Sequence, residues 1–541
     1  MKNRHSHLFI LLLILTFLTC ACDSSPKKDE SPAIAEQTEA AQPVTVTVEV
    51  TGGTIDGVEQ DGILIYKGIP FAAPPVGDLR WKAPAPVQPW EGVKKTDAYC
   101  DACMQAENAM GNTAPVSEDC LYLNVWTPAK MTDEKIPVIY WVHGGGYSGG
   151  STSTPMYDGA GFAERGVVMV SVAYRLGPFG FLAHPELSRE SGKGSGAYGL
   201  LDMIEGLKWV RDNISRFGGD PSNVTIFGHS AGGAAISLLA ATPLTKGLFH
   251  RAICMSGGSF TPLQISQEGM GLSIPSLSFA EQNGEEFFKK MGAGDINEAR
   301  ALSAGDVQKA LTGAMGGIRF RPAADGYVIS NDLYSLHQEG NFNYTPILLG
   351  HTSDEVGAFG GNMKITADQF VKQIKAQYGS GADIILKTYP HSTAEEATGS
   401  SRDLRNDSSF SWNTWTWSRL QSRNGKNKAY QYYFDYHPDS PDGGSGHGSD
   451  VPYAFRTLGG PAAAGEDELK LSDMINSYWI NFARSGDPNG PGLPEWTAFE
   501  EDNQKVMVFD ADPGSRPIPN PERMKAIDTY FELLREERKK Q

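Results

Sequence analysis

Apolar residues along this chain fall into two kinds of run. Val44 to Val50 alternates at period two, and Gly52, Gly53 and Gly57 punctuate the next few residues, which predicts a small antiparallel sheet at the start of the ordered chain. Later runs do not alternate. Ile136–Val142, Val167–Ala173 and Asn223–Phe227 are continuous apolar stretches, the pattern of strands buried on both faces. Ala231 to Ala241 reads as a crossover helix, and His250–Met255, Pro346–Leu349 and Ala429–Tyr436 read as further short strands. Strands alternating with helical stretches predict an open, mostly parallel sheet with helices on both faces. In such sheets chemistry gathers at the carboxyl ends of the strands.

The amino terminus has a different pattern. Residues 1–22 place Lys2 and Arg4 before the apolar run Leu8–Leu18, too short to span a bilayer comfortably, and read as a secretion signal. The segment ends Leu18-Thr19-Cys20-Ala21-Cys22, which resembles a bacterial lipoprotein signal with Cys22 as the lipidated first residue of the mature chain. Ordinary cleavage after Ala21 is the alternative. Either route exports the protein to the periplasm or cell envelope, and a lipid on Cys22 would tether it to a membrane without spanning it. Residues 23–43 hold almost no large apolar side chain, so burial cannot offset their ordering entropy and they form a disordered linker. No later composition break or internal repeat occurs, which predicts one catalytic domain from 44 to 536. The 64 acidic residues exceed the 47 basic ones, and the formal charge of −17 argues against a nucleic-acid partner.

The chemistry centres on Gly228-His229-Ser230-Ala231-Gly232, where the strand at Asn223–Phe227 breaks and resumes as a helix. A G-x-S-x-G elbow pushes the serine hydroxyl above the sheet and aims a helix-start amide at a developing oxyanion. Upstream, Trp141-Val142-His143-Gly144-Gly145-Gly146-Tyr147 leaves a buried strand for a triple-glycine turn whose backbone amides can converge. The amides of Gly145, Gly146 and Ala231 are therefore the expected oxyanion hole. A serine hydroxyl needs a histidine to accept its proton, and that histidine needs a carboxylate to fix its tautomer. On such sheets the order along the chain is Ser, acid, His. The acid should lie just after the strand at Pro346–Leu349, where Asp354 and Glu355 are adjacent and spacing does not choose between them. Beyond them lie only His391, His437 and His447, and His447 is favoured by its glycine-rich loop, Gly443 to Gly448.

With these residues in place the chain resembles the type-B carboxylesterase and lipase family, the α/β-hydrolase branch that includes cholinesterases and bacterial p-nitrobenzyl esterases. The match runs nearly end to end: Tyr66–Ala72, Ser117–Asn124, the triple-glycine turn, Tyr174–Phe181, the elbow and Tyr478–Ala483. The resemblance implies an α/β-hydrolase fold with Ser230 as nucleophile, Glu355 as acid and His447 as base. It further implies that Ser256 supports the histidine, that Arg80 with Glu118 and Arg175 with Asp202 are structural ion pairs, and that Cys103 and Cys120 form a disulfide. Cys100 and Cys254 stay unassigned, and Cys100-Asp101-Ala102-Cys103 lacks the second pair that zinc would need.

The implied activity is that of an exported serine carboxylesterase acting on a small-molecule ester through an acyl-enzyme, with no metal and no organic cofactor. A lipase working at lipid interfaces and a non-catalytic binding protein, as the neuroligins are, remain the alternatives within the family. No oligomeric state can be read from the sequence. Two departures bear on substrate. His229 stands where many relatives place a glutamate, and the segment between Cys103 and Cys120 lacks the tryptophan with which cholinesterases hold quaternary ammonium, so choline esters are not expected. Phe410, Trp412, Trp415 and Trp417 form an aromatic patch. His229, Tyr147, Trp412 and Trp415 are the expected pocket residues, favouring an aromatic or bulky apolar ester.

Overall fold

The structure, a computed structural model, describes residues 46–109, 112–266, 273–311, 318–357, 364–438, 443–459 and 463–539. The signal at 1–22, its Cys22, the linker at 23–43 and the first two residues of the expected entry strand lie outside those residues. From Val46 onward the described residues pack as one compact unit.

Three sheets form among them. The small amino-terminal sheet pairs β1 (Thr47–Val50) with β2 (Gly53–Asp56) antiparallel, as expected. It is a mixed sheet all the same, because β5 (Val93–Lys95) returns to add parallel to β2. The large sheet begins with the hairpin β3 (Val58–Gln60) and β4 (Ile63–Pro70). A short parallel pair, β6 (Ala102–Cys103) and β7 (Val116–Ser117), forms a separate two-stranded sheet. The large sheet continues through β8 (Tyr122–Thr127), β9 (Ile136–Val142), β10 (Val168–Val172), β11 (Gly219–His229) and β12 (Arg251–Met255). It ends with β13 (Ile347–Thr352), β14 (Ala429–Phe434), β15 (Lys505–Phe509) and β16 (Gly514–Pro517).

Its spatial order is β16-β15-β14-β13-β12-β11-β9-β10-β8-β4-β3, eleven strands. From β15 to β10 neighbours run parallel, and the edges turn antiparallel at β16 and at β8, β4 and β3. The unbroken apolar runs have the cause expected of them. On β9, Val138, Tyr140 and Val142 enter the core on one face while Ile139 and Trp141 enter the core on the other. Helices Tyr198–Asn213 and Ala231–Ala241 cover the first face, and helix Glu466–Ser485 covers the second with Leu471, Ile475, Tyr478 and Trp479. Chain progression reverses between β9 and β11, so the crevice above their carboxyl ends is the topological switch point.

Both expected ion pairs are made. Arg80 forks onto Glu118 at 2.6 Å through Nε and Nη2 and spends Nη1 on the carbonyl of Leu302 at 2.8 Å. Arg175 donates to Asp202 through its backbone amide, Nε and Nη2 at 2.7 to 3.0 Å, and both side chains are buried. Asp202→Asn would leave that guanidinium uncompensated, and should cost about 3–5 kcal/mol of stability in denaturant unfolding.

Candidate active site

Ser230 stands between the last residue of β11 and the first of helix Ala231–Ala241, at φ 57° and ψ −123°. An L-residue holds that backbone only where its surroundings over-determine it. Here the Ser230 amide donates to the Met255 carbonyl at 2.9 Å and its carbonyl accepts from Ala234 at 2.8 Å. Glycine is required on either side. A Cβ on Gly228 would meet the Gly232 carbonyl at 2.5 Å, and one on Gly232 would meet the Val142 carbonyl oxygen at 2.1 Å.

The triple-glycine turn leaves β9 and packs directly on this elbow. A Cβ on Gly144 would lie 2.8 Å from the His229 carbonyl oxygen and 3.0 Å from the Ser230 Cβ. Gly145 sits at φ 114°, where a Cβ would fall 2.0 Å from the Gly149 carbonyl oxygen. Among the described residues, the amides of Gly145, Gly146 and Ala231 donate to no backbone carbonyl in turns or loops, which leaves them available to a ligand oxygen. His143 stacks on Tyr174 with ring centroids 4.6 Å apart, and burial pushes its imidazole down to about 4, so it braces the turn as a neutral group. Tyr147 is buried against Phe181, and its hydroxyl has no hydrogen-bond partner among the described residues.

A second brace is covalent. The Cys103–Cys120 disulfide is present, and Gln105, just inside its loop, grips Gly150 by donating to its carbonyl at 2.8 Å and accepting from its amide at 2.9 Å. With the half-cystines 17 positions apart, replacing both by serine should remove about 3 kcal/mol of stability, read as a lowered denaturant midpoint. Of the remaining thiols, Cys254 is buried beneath the elbow and donates to the Gly233 carbonyl at 3.3 Å, while burial pushes Cys100 up to about 12.

Glu355 lies just after β13 and is 0% exposed. One carboxylate oxygen accepts from the Thr352 amide at 2.7 Å, the other is bonded to Nδ1 of His447, and the Glu355 amide donates to Asn406 Oδ1 at 2.7 Å. Ser256, buried and at φ 49°, presents its hydroxyl to the same carboxylate in looser geometry. Burial alone would raise the carboxyl, but the His447 charge and the hydrogen bonds from His447, Ser256 and Thr352 outweigh it and hold Glu355 down to about 2. The neighbouring Asp354 points elsewhere, with its side chain 17% exposed and 3.9 Å from Arg402. His437 lies 3.2 Å from Asp435, and His391 Nδ1 is 2.8 Å from the Tyr389 carbonyl. Of the three candidate histidines, then, the structure brings His447 to the acid.

The His447 ring is held between two others. Phe410 lies 5.0 Å away and His229, the residue before Ser230, lies 4.6 Å away by ring centroids. The base loop is thus docked on the elbow itself, and a Cβ on Gly448 would come within 3.0 Å of His229 Cε1. Burial first, and the His447 charge second, push His229 down to about 3, so it remains neutral.

The expected pocket tryptophans are corrected. Trp412 and Trp415 lie on helix Trp412–Asn424 in the core, where Trp412 donates to Asp528 at 3.2 Å and packs on Phe531, and Trp415 donates to Gln504 at 2.9 Å beneath Arg419. That helix is covered by the carboxyl-terminal helix Pro521–Lys539 as well as by the sheet, so its aromatic face is spent on packing. Of the patch, Phe410 alone touches the triad. It belongs to a π-helical turn, Asp407–Ser411, that follows directly on helix Ala394–Asn406, so the junction of helix and turn supports the acid through Asn406 and the base through Phe410. Asn406 and Gln105 escape sequence reasoning because neither lies in a motif and each acts across the fold.

The chain matches the family pattern described as Carboxylesterase family over residues 43–526. It is 36% identical to the fumonisin B1 esterase of Sphingopyxis macrogoltabida, covering 86% of each chain. It is 34% identical to the para-nitrobenzyl esterase of Bacillus subtilis, over 85% of this chain and 94% of that one. A solved PNB esterase superposes with a TM-score of 0.76 at 31% identity, over 89% of this chain and 99% of the other.

Proposed function

Because this chain belongs to the carboxylesterase family and is a carboxylic ester hydrolase, we propose that it works as a serine esterase whose nucleophile, base and acid are Ser230, His447 and Glu355. As the Ser230 hydroxyl attacks the ester carbonyl, His447 takes its proton through Nε2, with Nδ1–H held by Glu355. The amides of Gly145, Gly146 and Ala231 hold the oxyanion, each at about 3 kcal/mol of barrier. Return of the proton to the departing alkoxide leaves the acyl group on Ser230, and water repeats the sequence to release the acid. The observation that supports this most strongly is the bond between His447 and the fully buried Glu355, made by a loop docked on the residue that precedes Ser230.

With Trp412 and Trp415 committed to the core, their aromatic character no longer argues for bulky aromatic acyl groups. A neutral His229 beside the nucleophile, in place of a carboxylate, supports uncharged esters over cationic ones. The apolar run before Cys22 supports export and a lipid tether. The test is an ester panel with the purified protein: p-nitrophenyl acetate, butyrate and benzoate, a p-nitrobenzyl ester, fumonisin B1 and a choline ester. Turnover of neutral esters well above that of the choline ester is expected. A rate jump above a substrate's solubility limit would mark a lipase, and an untouched panel would overturn the catalytic reading.

A further inference from the structure

A cleft of about 530 Å³ runs beside helix Tyr198–Asn213, and none of its lining residues belongs to the candidate active site. A space of that size holds a small molecule. Tyr198, Leu201, Ile204, Glu205 and Lys208 line it from successive turns, so one helix face forms a strip about 15 Å long. Trp81, Leu244 and Tyr327 add further apolar wall.

The charged groups around the cleft are unequally committed. Glu190 accepts two bonds from Arg300 at 2.7 and 2.8 Å, Glu205 pairs with Lys208 at 2.9 Å, and Asp325 Oδ1 accepts the amides of Tyr327, Val328 and Ile329 at 2.8 to 3.1 Å. Lys82 lies 3.8 Å from Glu190. Lys193 makes no ion pair among the described residues, and its Nζ lies 4.4 Å over the Tyr327 ring. Its loop is pinned, because Ser191 Oγ donates to the Gly194 carbonyl at 2.7 Å and a Cβ on Gly194, at φ 82°, would fall 2.2 Å from the Asp325 carbonyl oxygen.

A second, independent feature lies in the same wall. Tyr198 is 5% exposed, and its hydroxyl has no hydrogen-bond partner among the described residues. Buried hydroxyls ordinarily find one. Tyr198 is also the first residue of its helix, which no side chain caps, so the positive end of the helix dipole stands at this end of the strip.

We propose that the cleft is a binding site for a medium-chain alkyl carboxylate, its chain laid along Leu201, Ile204 and Leu244 and its carboxylate held by the Lys193 ammonium and the Tyr198 hydroxyl. The acids that an ester hydrolase releases belong to this chemical class. A cationic head group would find the carboxylates of Glu190, Glu205 and Asp325 already bonded, and an uncharged one would leave Lys193 unanswered.

Calorimetric titration with octanoate tests the site. The wild-type protein should show one saturable site, with 1-octanol and octylammonium about tenfold weaker. Lys193→Gln should weaken octanoate about fivefold and Tyr198→Phe about tenfold. Both variants should hydrolyse p-nitrophenyl acetate within about twofold of the wild-type rate, since neither residue lies in the candidate active site. Absence of a saturable site, octanol binding as tightly as octanoate, or equal octanoate affinity in wild type and both variants would overturn the proposal; the last is the result for octanoate lodged in the active site instead. Should Tyr198→Phe fail to fold, Lys193→Gln decides through salt: added NaCl should weaken octanoate more in wild type than in the variant, and equal slopes would contradict the assignment.

Discussion

Replacing Ser230 with alanine should lower kcat for p-nitrophenyl butyrate by about a million-fold while KM and the melting temperature stay close to wild type. The size comes from the role: without Oγ there is no covalent step, and what remains is direct attack by water in a site that still offers oxyanion donors. The fold should survive because alanine occupies no more room than serine and the backbone bonds of residue 230 to Met255 and Ala234 use main-chain atoms only. Rates of p-nitrophenol release, set beside thermal unfolding, separate loss of chemistry from loss of structure.

Glu355→Gln should lower kcat by about ten-thousand-fold, for a different reason. The Thr352 amide donates to one oxygen of residue 355, so glutamine will place its carbonyl there and turn its NH2 group toward His447 Nδ1. His447 must then accept at Nδ1 and carry its proton on Nε2, the tautomer that cannot take a proton from serine. The same substitution changes acid stability with a definite sign. A carboxyl held at about 2 in the folded protein, against an ordinary value of 4.5, contributes stability that is present above 4.5 and lost as pH falls toward 2. Acid unfolding of the glutamine variant should lack that contribution over this window, while wild type shows it. Since Glu355 stays ionised well below neutral pH, its protonation does not limit activity under ordinary assay conditions.

The features legible in the sequence and those hidden from it divide along physical lines. Strands buried on both faces announce themselves as unbroken apolar runs, and helix Ala231–Ala241 begins and ends where its composition placed it. The elbow and the triple-glycine turn were legible because close backbone approach demands glycine at fixed spacing. Asp354 and Glu355 differ by one position, and only the path of the chain after β13 decides which is buried against His447. Trp412 and Trp415 misled because the polar residues of their helix, Asn413, Thr414, Thr416 and Ser418 among them, are buried as deeply as the tryptophans, so composition does not mark which face packs and which could meet substrate. The parallel return of β5 onto β2 was invisible for a related reason: pairing between distant segments leaves no local pattern. Asn406 and Gln105 share that property, being ordinary polar residues whose importance lies in what the fold brings to them.

In the proposed mechanism Ser230 carries the acyl group and His447 activates it. Treating the protein with a p-nitrophenyl alkylphosphonate and mapping the modified peptide tests it directly. One equivalent of p-nitrophenol should be released as activity disappears, with the phosphonyl group on Ser230 and labelling slowed by orders of magnitude in His447→Gln. An adduct on another residue at full inactivation, or ester turnover that persists once Ser230 is blocked, would contradict it.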